Sequence, residues 1–96
     1  MTSKQRAYLG GLASNMDAIF HVGKASLTPE IIEAIDAAIE KRELIKIGVL
    51  KNCFDDPREI GQMIAERTHS ELVKVIGKKI ILYRKNRKNP KIQLPL

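Results

Sequence analysis

The sequence contains one cysteine, no tryptophan and only four other aromatic residues among its 96 residues. A single thiol, Cys53, cannot form an internal disulfide or a thiolate metal cluster, so we expect a small buried side chain in a reducing compartment. Of the aromatic residues, only Tyr83 falls on the last two strands predicted below. This scarcity disfavours a sheet that stacks several bases on aromatic rings, as an RRM domain does.

The sequence also lacks a long apolar run. No stretch approaches the roughly 18 residues of a membrane-spanning helix, and the first residues, Met-Thr-Ser-Lys-Gln-Arg, carry no apolar signal segment. We therefore expect a cytoplasmic protein with no membrane partner. Hydrophobic residues make up 44% of the chain, which is enough for a folded core and predicts a single domain over residues 1–96.

The formal net charge is +6, and the positive charge is concentrated at one end of the chain. The first 77 residues carry ten basic and eleven acidic residues, whereas no acidic residue follows position 77. This asymmetry favours a polyanionic partner, and the alternative is a solubilising tail without a binding role. The seven basic residues at this end are Lys78, Lys79, Arg84, Lys85, Arg87, Lys88 and Lys91.

Hydrophobic periodicity and capping signals predict the element order α-β-α-β-α-β-β. Thr2, Thr28 and Asp56 are the predicted helix N-caps, and a proline directly follows the second and the third of them. The helices are expected over residues 2–14, 29–42 and 57–69, and the strands over residues 18–22, 44–50, 72–76 and 79–83.

Strands that alternate with helices imply crossover connections, and Gly77-Lys78 between the last two strands predicts an antiparallel hairpin. The expected fold class is therefore α/β (α+β), with one mixed four-stranded sheet packed with helices. Residues 84–96 form a basic C-terminal tail. Within this tail Ile92, Leu94 and Leu96 alternate with other residues, which predicts a short strand docked on the body.

The segment from Gly23 to Thr28 links a predicted strand to a predicted helix. A tight lysine-bearing loop at a helix N-terminus can hold a phosphate oxygen, because free N–H groups and the positive end of the helix dipole meet there. Ala18 and Ala25 replace the first glycine and the Ser/Thr of a P-loop, which argues against ATP or GTP binding. The structural alternative is an ordinary turn in which Gly23 supplies a positive φ.

The two histidines do not belong to a recognisable catalytic constellation. His21 falls in a predicted strand and His69 at a predicted helix end, and the sequence assigns no nucleophile or carboxylate to either. We therefore expect structural roles for both histidines, no cofactor and no enzymatic activity.

Five segments form one pattern that covers nearly the whole chain: Lys4–Ala13, Val22–Thr28, Glu43–Ile47, Val75–Arg84 and Ile92–Pro95. With these segments in this order, the chain resembles the CRM domain family, which is named for chloroplast RNA splicing and ribosome maturation. The resemblance extends to the bacterial single-domain, YhbY-type members of that family.

The resemblance implies a fold similar to the C-terminal domain of translation initiation factor three. It also implies an RNA-contacting GxxG loop, akin to the loop of KH domains, and association with rRNA of large ribosomal subunit precursors. In this sequence the loop corresponds to residues 23–26, and Ser26 stands where the family usually has the second glycine.

These observations predict a monomeric, non-enzymatic RNA-binding protein that binds structured rRNA during assembly of the large ribosomal subunit. A protein-interaction adaptor that docks on a ribosomal protein is the alternative, and it would lack the steep salt dependence of RNA-backbone binding. The predicted RNA-binding residues are Gly23, Lys24, Ala25, Ser26, Lys78, Lys79, Arg84, Lys85, Arg87 and Lys88.

Overall fold

The computed structural model describes residues 1–96 and contains three helices and four strands in the predicted order. All of their boundaries agree with the predicted ones to within two residues. The elements are α1 (Ser3–Ala13), β1 (Phe20–Val22), α2 (Pro29–Arg42), β2 (Leu44–Val49), α3 (Pro57–Thr68), β3 (Glu71–Ile76) and β4 (Lys79–Tyr83).

The four strands form one mixed sheet in the order β1-β2-β4-β3, which confirms the predicted fold class. Strand β1 runs parallel to β2, and the crossover through α2 makes this possible because parallel neighbours need a long connection. Strand β4 is antiparallel to both β2 and β3. Gly77, with a φ of 57°, allows the tight turn between β3 and β4, and a bulge interrupts β3 between Leu72 and Lys74.

The sheet separates two hydrophobic clusters, because alternate residues of each strand face opposite sides. The larger cluster lies on the side of α2 and α3 and includes Ile39 and Ile64. The smaller cluster lies on the side of α1 and includes Leu9 and Tyr83. None of the three helices combines the length and the apolar character that a membrane-crossing helix needs.

Each helix begins at its predicted N-cap. The hydroxyl of Thr2 accepts a hydrogen bond from the N–H of Gln5, and the side chain of Gln5 accepts one from the N–H of Thr2. The hydroxyl of Thr28 accepts from the N–H of Ile31 at 3.2 Å, and Asp56 caps α3 through its carboxylate. The caps fix where α2 and α3 start, and so they fix the loops that precede these helices.

The C-terminal segment after β4 packs on the body, but it does not form the predicted strand. Ile92 and Leu94 contact the smaller cluster, whereas Leu96 is fully exposed. A buried carboxylate holds the segment in place of strand pairing, because Glu43 accepts hydrogen bonds from the backbone N–H groups of Asn86, Lys91 and Ile92. The side chain of Gln5 in α1 holds the end of the segment by donating to the carbonyl of Pro95 at 3.0 Å.

Candidate nucleic-acid interface

The ten predicted RNA-binding residues lie at two opposite ends of the sheet. We name these the loop end, formed by residues 23–28, 50–56 and 77–79, and the tail end, formed by residues 43 and 84–88. Strand β4 runs from one end to the other, and its five residues span about 13 Å at roughly 3.3 Å per residue. The predicted residues therefore form two groups and not one continuous site.

Backbone hydrogen bonds hold the loop end together. The N–H of Leu50 donates to the C=O of Val22 at 2.8 Å, and the N–H of Val49 donates to the C=O of Lys78 at 2.7 Å. The parallel pairing of β1 with β2 places both of their carboxyl ends at this edge, which is where open α/β sheets bind ligands. Lys78 and its neighbour Lys79 are exposed on the adjoining hairpin.

Residues 23–26 form a tight turn in front of α2. The N–H of Ser26 donates to the C=O of Gly23 at 2.9 Å, and the two residues between them are exposed. Thr28 then caps α2, so the positive end of the helix dipole lies beside this turn. Glu30 in the first turn of the helix offsets part of that positive potential. The turn is accessible to a phosphate, and Lys24 at its tip supplies a mobile positive charge.

Ser26 adopts the left-handed backbone conformation, with a φ of 56°. The alternative drawn from the sequence assigned the positive φ of this turn to Gly23, and that assignment is wrong. A residue with a Cβ pays about 1–2 kcal/mol for this conformation, whereas glycine does not. The turn thus has a backbone shape suited to glycine at the position where this chain carries serine.

A second loop, which the sequence reasoning missed, lies against the first. A Cβ atom at Gly23 would lie 3.5 Å from Leu50 Cδ1 and 3.5 Å from Asn52 Oδ1. Lys51 and Asn52 are both exposed, and an ammonium and an amide are groups that contact phosphate and sugar oxygens. The sequence did contain a signal for this second loop. The predicted crossover makes the first two strands parallel, and the loops that follow parallel neighbours lie at the same edge of the sheet.

At the tail end, Arg84 is engaged within the protein. Its guanidinium donates to the carboxylate of Asp36 at 2.7 Å and to that of Glu40 at 2.9 Å, and it also donates to the C=O of Thr68. Arg84 thereby ties the start of the C-terminal segment to α2 and α3, and few of its donors remain for a ligand. The exposed cations of this end, none of which forms an ion pair, are Lys85, Arg87 and Lys88.

The same cations border an open hollow of about 480 Å³ at the tail end. His69 lies at its edge as the C-cap of α3, with a φ of 53°. No hydrophobic residue lines the hollow, and four of its six lining residues are lysine or arginine, so it is suited to an anionic ligand. Its lining residues are Glu40, His69, Arg84, Lys85, Arg87 and Lys88.

Glu43 is the only acidic side chain buried in the protein. Burial raises the pKa of its carboxyl, but three backbone N–H groups of the C-terminal segment and the nearby charge of Lys91 lower the pKa to below its ordinary value of 4.5. The pKa of the Tyr83 phenol is raised above 10.0, first by burial, which is the larger effect, and second by the negative charge of Glu43. The carboxylate therefore serves to anchor the tail and does not face a ligand.

The structure brings together no catalytic group. His21 lies near the loop end, on the exposed side of β1, and His69 lies at the tail end. Cys53 is a free, buried thiol in the larger hydrophobic cluster, as predicted. No group of His, Cys, Asp and Glu residues in the protein has the arrangement needed to hold a metal ion.

Comparison with known proteins gives a consistent set of matches. A family model described as CRS1 / YhbY (CRM) domain matches residues 1–84. The "Probable RNA-binding protein YqeI" of Bacillus subtilis is 38% identical over 95 residues, which is 99% of this chain and 99% of that protein. An "RNA-binding protein" of Haemophilus influenzae is 32% identical over 95 residues, which is 99% of this chain and 95% of that protein.

A solved structure extends the comparison to the fold. The solution structure of the hypothetical protein SAV1595 from Staphylococcus aureus matches with a TM-score of 0.84 and 47% sequence identity. The match covers 99% of each chain, so it includes the C-terminal segment as well as the sheet and the three helices.

Proposed function

The chain belongs to the CRS1/YhbY (CRM) domain family, as its resemblance predicted, and from this premise we propose that it is a non-enzymatic protein that binds structured rRNA during assembly of the large ribosomal subunit. RNA binding is supported by its relatives, which are named RNA-binding proteins. The choice of rRNA from a large-subunit precursor follows from the family resemblance alone. We further propose that the protein acts as a monomer in the cytoplasm.

The observation that carries this proposal is the arrangement of the loop end. The exposed turn of residues 23–26, the capped start of α2 and the lysines of the hairpin at positions 78 and 79 lie at one edge of the sheet. Backbone N–H groups and lysines in this arrangement bind phosphate oxygens without reading the base. The loop end is thus suited to gripping an RNA backbone.

The distribution of acidic residues indicates from which side the RNA approaches. The exposed surface of α2 carries Glu30, Glu33, Asp36 and Glu40, which would repel phosphates. Helix α1, on the other side of the sheet, contains no acidic residue. An RNA strand held at the loop end is therefore directed toward the side of α1.

The tail end supplies a second, weaker part of the electrostatic footprint in this proposal. Lys85, Arg87 and Lys88 are exposed, but they lie at least the length of β4 away from the turn. An RNA that contacts both ends must therefore extend at least the length of β4.

The salt dependence of binding tests the proposal directly. If about six phosphates are neutralised, log K should fall with log[salt] with a slope of roughly −4 to −5 in a filter-binding titration. A slope near zero would reject RNA-backbone binding and favour the protein-interaction adaptor.

Two double variants, each of which removes two positive charges, measure how much each end contributes to RNA binding. Replacing Lys78 and Lys79 with Gln should make the salt slope shallower by roughly 1.5. The variant neutralises two fewer phosphates, so its binding releases fewer counterions. Replacing Arg87 and Lys88 with Gln should have a smaller effect on affinity. If the second variant is the more strongly impaired one, the main RNA contact lies at the tail end.

The identity of the RNA is tested in cells. Crosslinking the protein to RNA and sequencing the bound fragments should recover rRNA of large-subunit precursors. Recovery of other RNA classes with no enrichment of rRNA would refute this part of the proposal and leave RNA binding itself intact.

A further inference from the structure

One row of residues crosses the open face of the sheet next to the loop end. In the strand register His21 pairs with Gly48, Gly48 pairs with Lys79, and Lys79 pairs with Ile76. Paired residues share one face of a sheet, so these four residues, one from each strand, lie side by side. We refer to them as the glycine row.

Helix α1 does not cover the glycine row, although it packs on the same face of the sheet. The cluster beneath α1 contains Leu44, Val73, Ile81 and Tyr83 from the strands, and no member of the row. His21 and Lys79 are exposed and Ile76 is 51% exposed, whereas Gly48 is buried. The side chains of His21, Lys79 and Ile76 are therefore the part of the row that a ligand can reach beyond the helix.

Gly48 leaves a space in the middle of the row that the side chains of His21 and Lys79 occupy. A Cβ atom there would lie 2.9 Å from His21 Cδ2 and 3.2 Å from Lys79 Nζ, and its third nearest atom also belongs to His21. A larger residue at this position would therefore displace the imidazole, whereas glycine lets the ring lie against the backbone of β2. Glycine inside a strand often marks such a close approach of another group to the backbone.

We propose that the glycine row is a subsite for one unpaired nucleotide of the bound RNA, with the base stacked on the exposed imidazole of His21, which lies against Gly48. Unpaired bases stack on imidazole rings, and the ammonium of Lys79 is placed to bind the phosphate or an acceptor atom of the same nucleotide. Ile76 offers an apolar edge to the base. Gly23 follows His21 by two residues, so a nucleotide on the row is continuous with a backbone held at the loop end.

This inference rests on the proposed function, and it goes further by requiring a single-stranded nucleotide next to the phosphate contact. A double-stranded RNA cannot place a base flat on the sheet, because its bases are stacked and paired. The row thus predicts a preference for RNA with an unpaired segment over a plain duplex.

The test compares two RNA probes in fluorescence anisotropy titrations. One is a stem-loop with unpaired adenosines, one of which is replaced by 2-aminopurine, and the other is the same stem as a blunt duplex. The wild-type protein should bind the stem-loop at least about fivefold more tightly, since stacking of one base is worth a preference of this size or more. The 2-aminopurine fluorescence should change on binding as that base moves onto the imidazole.

Gly48→Val and His21→Ala should both abolish the preference, while the affinity for the duplex stays within about twofold, because neither change removes a lysine. Gly11→Ala is the matched control, since it adds a methyl group to a glycine that has no atom within 4 Å of the new carbon, and it should bind both probes as wild type does. Thermal melting shows which variants are folded. If Gly48→Val does not fold, His21→Ala alone provides the test.

The outcomes separate this inference from the proposed function. If the wild-type protein binds neither probe, RNA binding itself fails. If it binds both probes equally, or if folded His21→Ala retains the full preference, the glycine row is not a nucleotide subsite, although RNA binding stands.

Discussion

The buried carboxylate of Glu43 accepts a hydrogen bond of 2.8 Å from the backbone N–H of Ile92, which follows it by 49 residues. The same carboxylate accepts from the N–H groups of Lys91 and Asn86, each at 2.7 Å. Glu43 itself has a φ of 65°, a conformation that usually favours glycine at the end of a helix. Three charge-assisted hydrogen bonds offset this backbone cost and fix the C-terminal segment to the sheet.

Replacing Glu43 with Gln should therefore loosen the C-terminal segment. The variant loses the negative charge and leaves the three N–H groups with a poorer acceptor, which we expect to cost about 2 kcal/mol of unfolding free energy. For a chain of this size the melting temperature should fall by roughly 10 °C. Glu40→Gln is the control, because Glu40 is exposed and Arg84 keeps its ion pair with Asp36, so this change should cost less than about 1 kcal/mol. Equal losses in the two variants would contradict the anchoring role.

Acid should weaken the same anchor in the wild-type protein. The pKa of Glu43 in the folded state lies below its ordinary value of 4.5, so the stability that it contributes is fully present above that pH and is lost as the pH falls through the folded pKa. Urea titrations between about pH 6 and pH 3 should show a steeper loss of unfolding free energy for wild type than for Glu43→Gln. Parallel curves would show that another carboxylate controls the acid response.

Ser26→Gly should raise the stability of the protein. Glycine adopts the observed φ without the cost of a Cβ atom, so the unfolding free energy should increase by about 1 kcal/mol, less the entropy that glycine gains in the unfolded chain. Ala25→Gly, one position earlier and without a positive φ, should lower the stability instead. RNA affinity of Ser26→Gly should be unchanged or higher, and a loss of tenfold, about 1.4 kcal/mol, would identify the hydroxyl as an RNA ligand.

Lys24→Glu should weaken RNA binding several-fold without changing the melting temperature. The side chain is exposed at the tip of the turn, so its charge reversal acts on the ligand and not on packing. Lys41→Glu changes the net charge by the same amount in the last turn of α2, on the side of the sheet from which RNA is expected to be repelled, and serves as the control. A similar loss of affinity in both variants would mean that overall charge, and not the turn, determines binding.

The sequence predicted the elements well because their signals are local. Thr28 and Pro29 mark the start of α2, and the β-branched content from Leu44 to Val49 marks β2, without reference to the rest of the chain. The types of connection also followed from the sequence, since a helix between two strands implies a crossover and Gly77 implies a hairpin. The strand order did not, because no local pattern specifies which strands become neighbours.

The missed features depend on contacts between distant parts of the chain. In the sequence, Arg84 is one of several cations in a basic tail. Only the fold shows that its guanidinium donates to the carboxylates of Asp36 and Glu40, which precede it by 48 and 44 residues. The positive φ of Ser26 was also missed, because positive φ is usual for glycine and the turn contains a glycine, Gly23, three residues earlier. The cross-strand pairing of His21 with Gly48 requires the strand register, which no local pattern specifies.

Mapping of the RNA contact by nuclear magnetic resonance tests the central claim most directly. Amide chemical shifts of the labelled protein, followed during titration with the stem-loop RNA, should change most strongly at Gly23 to Ser26 and at Lys78 and Lys79. Amides on the acidic, exposed surface of α2 should change little. Changes confined to that surface or to the C-terminal segment, with residues 23–26 unaffected, would contradict the assignment of the RNA site to the loop end.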